Sequence, residues 1–327
     1  MFYSIFPGSG CTDGILIVGG KTATGPSKDI SLLSSDWRWC SSSGFPELPY
    51  PLVSPAAYLH GGSLLVCGFP GKRSCKYTQQ GWAGWEDLSG LENESDFKMA
   101  FSSKVGSVMM MSKDTDSKKY HLHHNPAYSH PGGLTSWMGP FGGSPFVVDR
   151  DLQNASFSHF QGDLYFTGGF EEIKGLWFSQ YSSSASVAKW SVDGNPKFDD
   201  EIIPDMTEAR EGHASTEFDE KLVVSGGYLY SYGSANYLYK RHKSAEYFDG
   251  VKWKAMASMS EERSYFGLES MCGKLVAIGG MGLEDTMMST VEVARSVESN
   301  WNEQLGLELP EGRAYFASIP VRNMQCK

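Results

Sequence analysis

Short apolar runs separated by polar turns recur along this chain about every fifty residues, and residues 210–259 hold one unit complete. Residues 213–218 predict a strand and Asp219-Glu220 a turn. Residues 221–225 predict a second, apolar strand ending in Gly226-Gly227. After a polar, tyrosine-rich loop, residues 244–248 and 251–254 predict two more strands joined by the turn Asp249-Gly250. A glycine pair accepts positive φ and lets a neighbouring backbone approach closely. Tyr247 and Trp253 stand on either side of the turn and reach into the space between two sheets, where they supply much of the buried area. One such thin sheet leaves both faces uncovered, so the units must stack.

The same pattern appears elsewhere, with glycine motifs beginning at Gly19, Gly68, Gly168, Gly226 and Gly279. The first unit has its glycine strand at 15–18, a third strand at 30–34 and Trp39, but no preceding strand. In the second, Phe69 replaces the second glycine, 75–78 is the third strand, and Trp82 or Trp85 marks the fourth. The third is degenerate: residues 98–104 and 107–112 alternate like paired strands without a glycine pair, and Met109 to Met111 read as packing material. The fourth runs through Gly168-Gly169 to a strand at 187–191, and the sixth through Gly279-Gly280 to Trp301. The period thus predicts six units. One strand is left over, at 313–319, and it has the character of the first strand that unit one lacks.

The order glycine pair, tyrosine, and tryptophan six residues on resembles the kelch repeat, and the resemblance extends over nearly the whole chain. The departures are Phe69, the absent glycines of unit three, and the absent third-strand tyrosine of units one and six. The resemblance implies an all-β fold: a six-bladed β-propeller of kelch type with four-stranded blades, spanning 1–327 as one domain. The blades are expected at 11–40 plus 313–321, 54–88, 97–140, 154–205, 210–258 and 263–308. The ring would close by the C-terminal strand pairing into the N-terminal blade. Closure in turn implies a disulfide between Cys11 and Cys326. Cys67 and Cys75 bracket a hairpin loop and form a second candidate pair, with Cys40 an alternative partner for either.

Composition narrows the class. The net charge of −10, without a Lys/Arg cluster, argues against nucleic acid. No apolar run reaches the length of a membrane span, and the first ten residues lack the charged start of a signal peptide. Sequons at Asn93 and Asn154 and the six cysteines incline the expectation toward secretion over cytosol. A monomeric propeller is expected.

Candidate chemistry is sparse. His121, His123 and His124, with His130 nearby, form the most metal-like stretch, and on a strand His121 and His123 share a face. No acidic or cysteine ligand stands beside them, so an exposed polar strand is the preferred reading, with no metal and no cofactor. No phosphate loop, nucleophile elbow or HExxH is present. Arg210, Arg263 and Arg313 recur in phase, one before the first strand of each of three units. In kelch domains, which this chain resembles, arginines so placed engage acidic peptides, and a ring of guanidinium groups suits carboxylates. The alternative is that each arginine pairs with a nearby glutamate or a carbonyl and ties blades together. Tyr230, Tyr232 and Tyr237 in the fifth loop are candidate protein contacts, alongside Tyr228, Tyr239, Trp177 and Tyr181. The expectation is a non-enzymatic interaction domain that presents loops, and an arginine-lined mouth, to a protein partner with an acidic segment. The alternative is a metal-binding or oxidase-like propeller enzyme that uses the region from His121 to His130.

Overall fold

Each glycine strand read from the sequence is a buried strand of the computed structural model, because three or four consecutive apolar residues are covered on both faces. The structure describes residues 13–40, 44–60, 62–69, 75–78, 84–88, 91, 94–102, 107–125, 146–148, 152–174, 179–191, 197–199, 203–232, 237–322, 324 and 326. Regular structure among them is all β, apart from a 3-10 turn at Leu283–Asp285. Among the described residues, no helix is long and apolar enough to cross a membrane.

In chain order the strands begin with β1 (Asp13–Val18), β2 (Lys21–Thr22), β3 (Gly25–Pro26) and β4 (Ile30–Leu33). A meander follows: β5 (Ala56–His60), β6 (Ser63–Cys67), β7 (Cys75–Thr78) and β8 (Trp85–Leu88). The next is β9 (Glu94–Ser102), β10 (Ser107–Asp114), β11 (Tyr120–Asn125) and β12 (Phe146–Val148). Two units then carry an extra hairpin each. The first has β13 (Ser156–Phe160), β14 (Asp163–Thr167), the hairpin β15 (Phe170–Lys174) and β16 (Ser179–Ser183), then β17 (Val187–Ser191) and β18 (Lys197–Asp199). The second has β19 (Ala214–Phe218), β20 (Lys221–Ser225), the hairpin β21 (Tyr228–Tyr232) and β22 (Tyr237–Arg241), then β23 (Ala245–Phe248) and β24 (Trp253–Met256). The last meander is β25 (Gly267–Met271), β26 (Lys274–Ile278), β27 (Val291–Ala294) and β28 (Asn302–Glu303), and β29 (Ala317–Arg322) ends the series.

Five four-stranded antiparallel sheets have the meander order expected of a repeat: β5 to β8, β9 to β12, β13-β14-β17-β18, β19-β20-β23-β24 and β25 to β28. A further sheet has the order β29-β1-β4, in which Leu16 faces Ile319 and Leu32. The leftover C-terminal strand is therefore the first strand that unit one lacks. First strands touch in succession: β5 and β9, β9 and β13, β13 and β19, β19 and β25, β25 and β29, β29 and β5.

The core is divided among the interfaces. One apolar cluster joins Val223 and Tyr247 of one sheet to Phe266, Leu268 and Leu275 of the next. Another joins Ile15, Ile17 and Leu33 to Val276, Ile278 and Val291. Tyr247 thus fills the inter-sheet space, as its position predicts. The fourth-strand tryptophans are fastened in one way: the indole N–H groups of Trp39, Trp85, Trp253 and Trp301 donate to the carbonyls of Leu307, Glu47, Pro204 and Ala257, at 2.8–2.9 Å. Met109, Met110 and Met111 are buried, as packing material should be.

Three expectations change. The fourth strand of the third unit is β12, beyond the expected end at 140, and Trp137, which the sequence offers as the mark of that strand, lies outside the described residues. The loops after the glycine pairs in units four and five are hairpins, not irregular loops. Cys326 sits at disulfide distance from Cys40, with Cα atoms 5.1 Å apart, instead of the expected Cys11. The sheet order explains this change. β29 and β4 both run antiparallel to β1, so their C-terminal ends lie at the same edge and lead to Cys326 and Cys40. Cys11 lies outside the described residues. Cys67 and Cys75 are directly opposed on β6 and β7 and sit at disulfide distance, as expected.

Candidate functional site

The three in-phase arginines are buried, at 0% exposure for Arg210 and Arg263 and 2% for Arg313. The guanidinium of Arg210 donates through Nη1 to the Gly226 carbonyl (2.8 Å) and through Nη2 to Glu246 Oε1 (3.0 Å). Arg263 repeats this with Gly279 (2.8 Å) and Glu292 (2.6 Å). Arg313 reaches Gly19 at 3.5 Å and Asp29 at 3.2 Å. The backbone carbonyls of the same arginines accept the N–H of the preceding unit's second glycine: Gly169 on Arg210, Gly227 on Arg263 and Gly280 on Arg313. Here the glycines are required. Gly226 has φ +66°, and a Cβ there would stand 2.5 Å from the Arg263 carbonyl oxygen. Each arginine is therefore an internal clamp between and within sheets. The arginine-lined mouth for acidic peptides is not formed, because carboxylates and carbonyls of the fold already occupy the guanidinium groups. The tying partners are chiefly Glu246, Glu292 and Asp29, on or beside the third strands; of the adjacent glutamates, Glu208 pairs with Arg210 at 3.1 Å and Glu261 with Arg263 at 3.9 Å.

Two residues beyond each arginine the backbone turns left-handed, at Gly212, Tyr265 and Tyr315. Ser54, Asp96 and Asn154 hold the same conformation at the matching positions of the other units. A chain of backbone bonds runs through five of them: Gly212 N to Asn154 O, Tyr265 N to Gly212 O, Tyr315 N to Tyr265 O, and Ser54 N to Tyr315 O. These six residues frame a depression, the mouth. Tyr265 and Tyr315 stack with centroids 4.0 Å apart, and the hydroxyls of Tyr265 and Tyr228 are 2.6 Å apart. Burial raises the phenol pKa of Tyr228 and Tyr265, so both remain neutral donors. The Arg-x-Tyr spacing at Arg263 and Arg313 was a readable signal for this cluster.

Beside the mouth the two extra hairpins merge into one antiparallel sheet, β15-β16-β21-β22. Tyr181 and Ser182 face Tyr232 and Ser231 across its centre. Glu211, 2% exposed, anchors it: Asn154 Nδ2 donates to one carboxylate oxygen (2.8 Å) and Ser183 Oγ to the other (3.0 Å). Arg241 fixes β22 to the next sheet by donating to Ser264 Oγ (2.8 Å) and pairing with Asp285. The sheet displays Tyr232 at 52% exposure, Leu238 at 48% and Tyr239 at 40%. Tyr230 is half-buried and its ring lies 6.1 Å from that of Phe170. The backbone of Tyr237 pairs with Tyr232. The side chains of Tyr237 and Tyr181, and all of Trp177, lie outside the described residues.

The first strands line a cavity of about 670 Å³. Its wall is polar: Ser156 and Ser158 bond the Ser215 hydroxyl at 2.7 and 2.9 Å, and Ser318 Oγ donates to Glu269 Oε1 at 2.7 Å. Burial pushes Glu269 up to about 8, so it is a neutral acid near pH 7.

On the third unit, Glu94 joins the histidines. Glu94 Oε1 lies 2.9 Å from His121 Nδ1 and 3.9 Å from His123 Nε2, and Ser112 Oγ bridges Glu94 Oε2 and His123 Nε2 at 2.9 Å each. The sequence reading missed this carboxylate because it comes from β9, across the sheet. His123 is 4% exposed, not on an exposed strand, and burial lowers its pKa to about 4. The side chain of His124 and all of His130 lie outside the described residues. Of the sequons, Asn93 does too, and Asn154 is half-buried and holds Glu211 through its amide.

No family model matches this chain, and no curated protein does. A solved structure, titled "Structure of YjhT", matches with a TM-score of 0.61 and 13% identity over 90% of this chain and 98% of that one. At that identity, what the two have in common is the fold.

Proposed function

We propose that the chain is a single six-bladed β-propeller of kelch type and serves as a non-enzymatic protein-interaction domain. The blade reading is supported by the succession of first strands from β5 to β29 and back, and by the repeated glycine–arginine clamps. The observation that carries the function is the tyrosine sheet beside the mouth. Glu211 and Arg241 hold it to the repeat units, and it presents Tyr232, Leu238 and Tyr239 outward. Rigid tyrosines give large contact area at low entropic cost. Lys240 and Lys243 stand exposed on the segment that carries Leu238 and Tyr239. The partner is therefore a protein whose docking segment sets acidic side chains beside apolar ones.

The test is residue-specific photo-cross-linking from position 238, with position 251 as the control, since Val251 is 77% exposed on a turn between β23 and β24. The partner captured at 238 is then purified and its affinity measured. Tyr232→Ser with Tyr239→Ser should weaken binding about tenfold or more, and Val251→Ser should leave it unchanged. Equal affinity in all three forms would overturn the assignment.

A further inference from the structure

The position two residues before each left-handed mouth residue is Arg in three units, Leu52 and Leu152 in two more, and Glu94 in the third. Opposite the arginines, the second residue of the third strand is Glu246 on β23 and Glu292 on β27. In the third unit the corresponding residue is His121 on β11. The clamp therefore recurs with its chemistry inverted. Where two units set a guanidinium against a carboxylate, this one sets a carboxylate against an imidazole and adds a second imidazole, His123, two residues on along the same strand face. The third unit has no guanidinium at the centre of its clamp, and what stands around that place are three metal-ligating side chains, one carboxylate and two imidazoles.

We propose that Glu94, His121 and His123 bind one divalent transition cation of the zinc class, which takes the place of the arginine clamp and fastens β9 to β11. Their ligand atoms lie within 4.8 Å of one another. A tetrahedral ion with bonds of about 2.0–2.1 Å sets its ligands roughly 3.3 Å apart, and the 2.9 and 3.9 Å separations bracket that value. Two imidazoles and a carboxylate suit zinc, cobalt or nickel over calcium or magnesium, which take oxygen ligands. Ser112, which donates to Glu94 Oε2 at 2.9 Å, orients the carboxylate, and His123 Nε2 exchanges its 2.9 Å contact with Ser112 for the ion. The fourth position takes water, which the partial exposure of the His121 side chain, 17%, lets in.

The test uses the full chain, stripped with a chelator and titrated with Co²⁺ and Zn²⁺ alone. One equivalent of Co²⁺ should give the visible bands of a low-coordinate site, Zn²⁺ should displace it, and Zn²⁺ should raise the melting temperature. His121→Ala and Glu94→Gln should each lower affinity about 100-fold or more, and His159→Ala, on a channel strand, should not. Should His123→Ala fail to fold, His121→Ala decides, because its ring lies at the rim. Absence of a stoichiometric cobalt spectrum, or a spectrum that survives both His121→Ala and Glu94→Gln, overturns the proposal.

Discussion

A buried guanidinium needs an opposite charge beside it, and Arg263 has one, although its Nε makes no hydrogen bond among the described residues. Glu292 and the Gly279 carbonyl bind it, and neither is open to water. Removing one member of such a pair strands the other, so Arg263→Ala should cost about 3–5 kcal/mol in urea unfolding. The variant Glu292→Leu in the same background should recover part of that loss, because no lone carboxylate then remains buried. Additive losses in the double variant would count against a direct pair. Glu269 predicts a pH effect. Its carboxyl ionises near 8 in the fold and near 4.5 in the unfolded chain. Between those values the folded state holds a proton that the unfolded state releases, so this group's stabilising contribution declines from about pH 5 to pH 8, at up to about 1.4 kcal/mol per pH unit. Glu269→Gln should flatten that slope in melts across the range, and an unchanged slope would show that Glu269 is ionised in the fold.

At the scale of elements, what was legible in the sequence was local. Alternation, glycine pairs and Asp249-Gly250 are decided by residues within a few positions of one another, and they mark β1, β6, β14, β20 and β26 correctly. The phase of the arginines was visible too, but not their surroundings, because Glu246 and Glu292 lie on third strands about thirty residues on. The tyrosine sheet was hidden for a related reason. β16 and β21 belong to different units and pair only after those units stack, so the loops read as polar and irregular. Glu94 and His121 were separated in the same way, on different strands of one sheet. The cysteines follow the order β29-β1-β4, which sends Cys326 to Cys40. Cys40→Ser should lower stability by about 2–5 kcal/mol, since the bridge closes a span of 286 residues. Peptide mapping without reductant should recover the Cys40 and Cys326 peptides as one species.

At the scale of the molecule, the proposed closed ring would hold both the mouth and the tyrosine sheet in place. Ser54 donates to the Tyr315 carbonyl, and Lys21 and Ala314 exchange backbone bonds, so the chain's two ends share one mouth. Clusters on both sides of the β29-β1-β4 sheet bury Ile319 and Val321 on one side and Ile15 and Ile17 on the other. In a closed ring no sheet lies at an end, and the terminal strand is as central as any other. Amide hydrogen exchange of the native full-length protein reads this directly. If β29 closes the ring, peptides covering 317–322 should exchange only through global unfolding, with the protection of 274–278 on β26. Exchange of 317–322 orders of magnitude faster than 274–278 would mean that the strand frays by itself, and would contradict the closed ring.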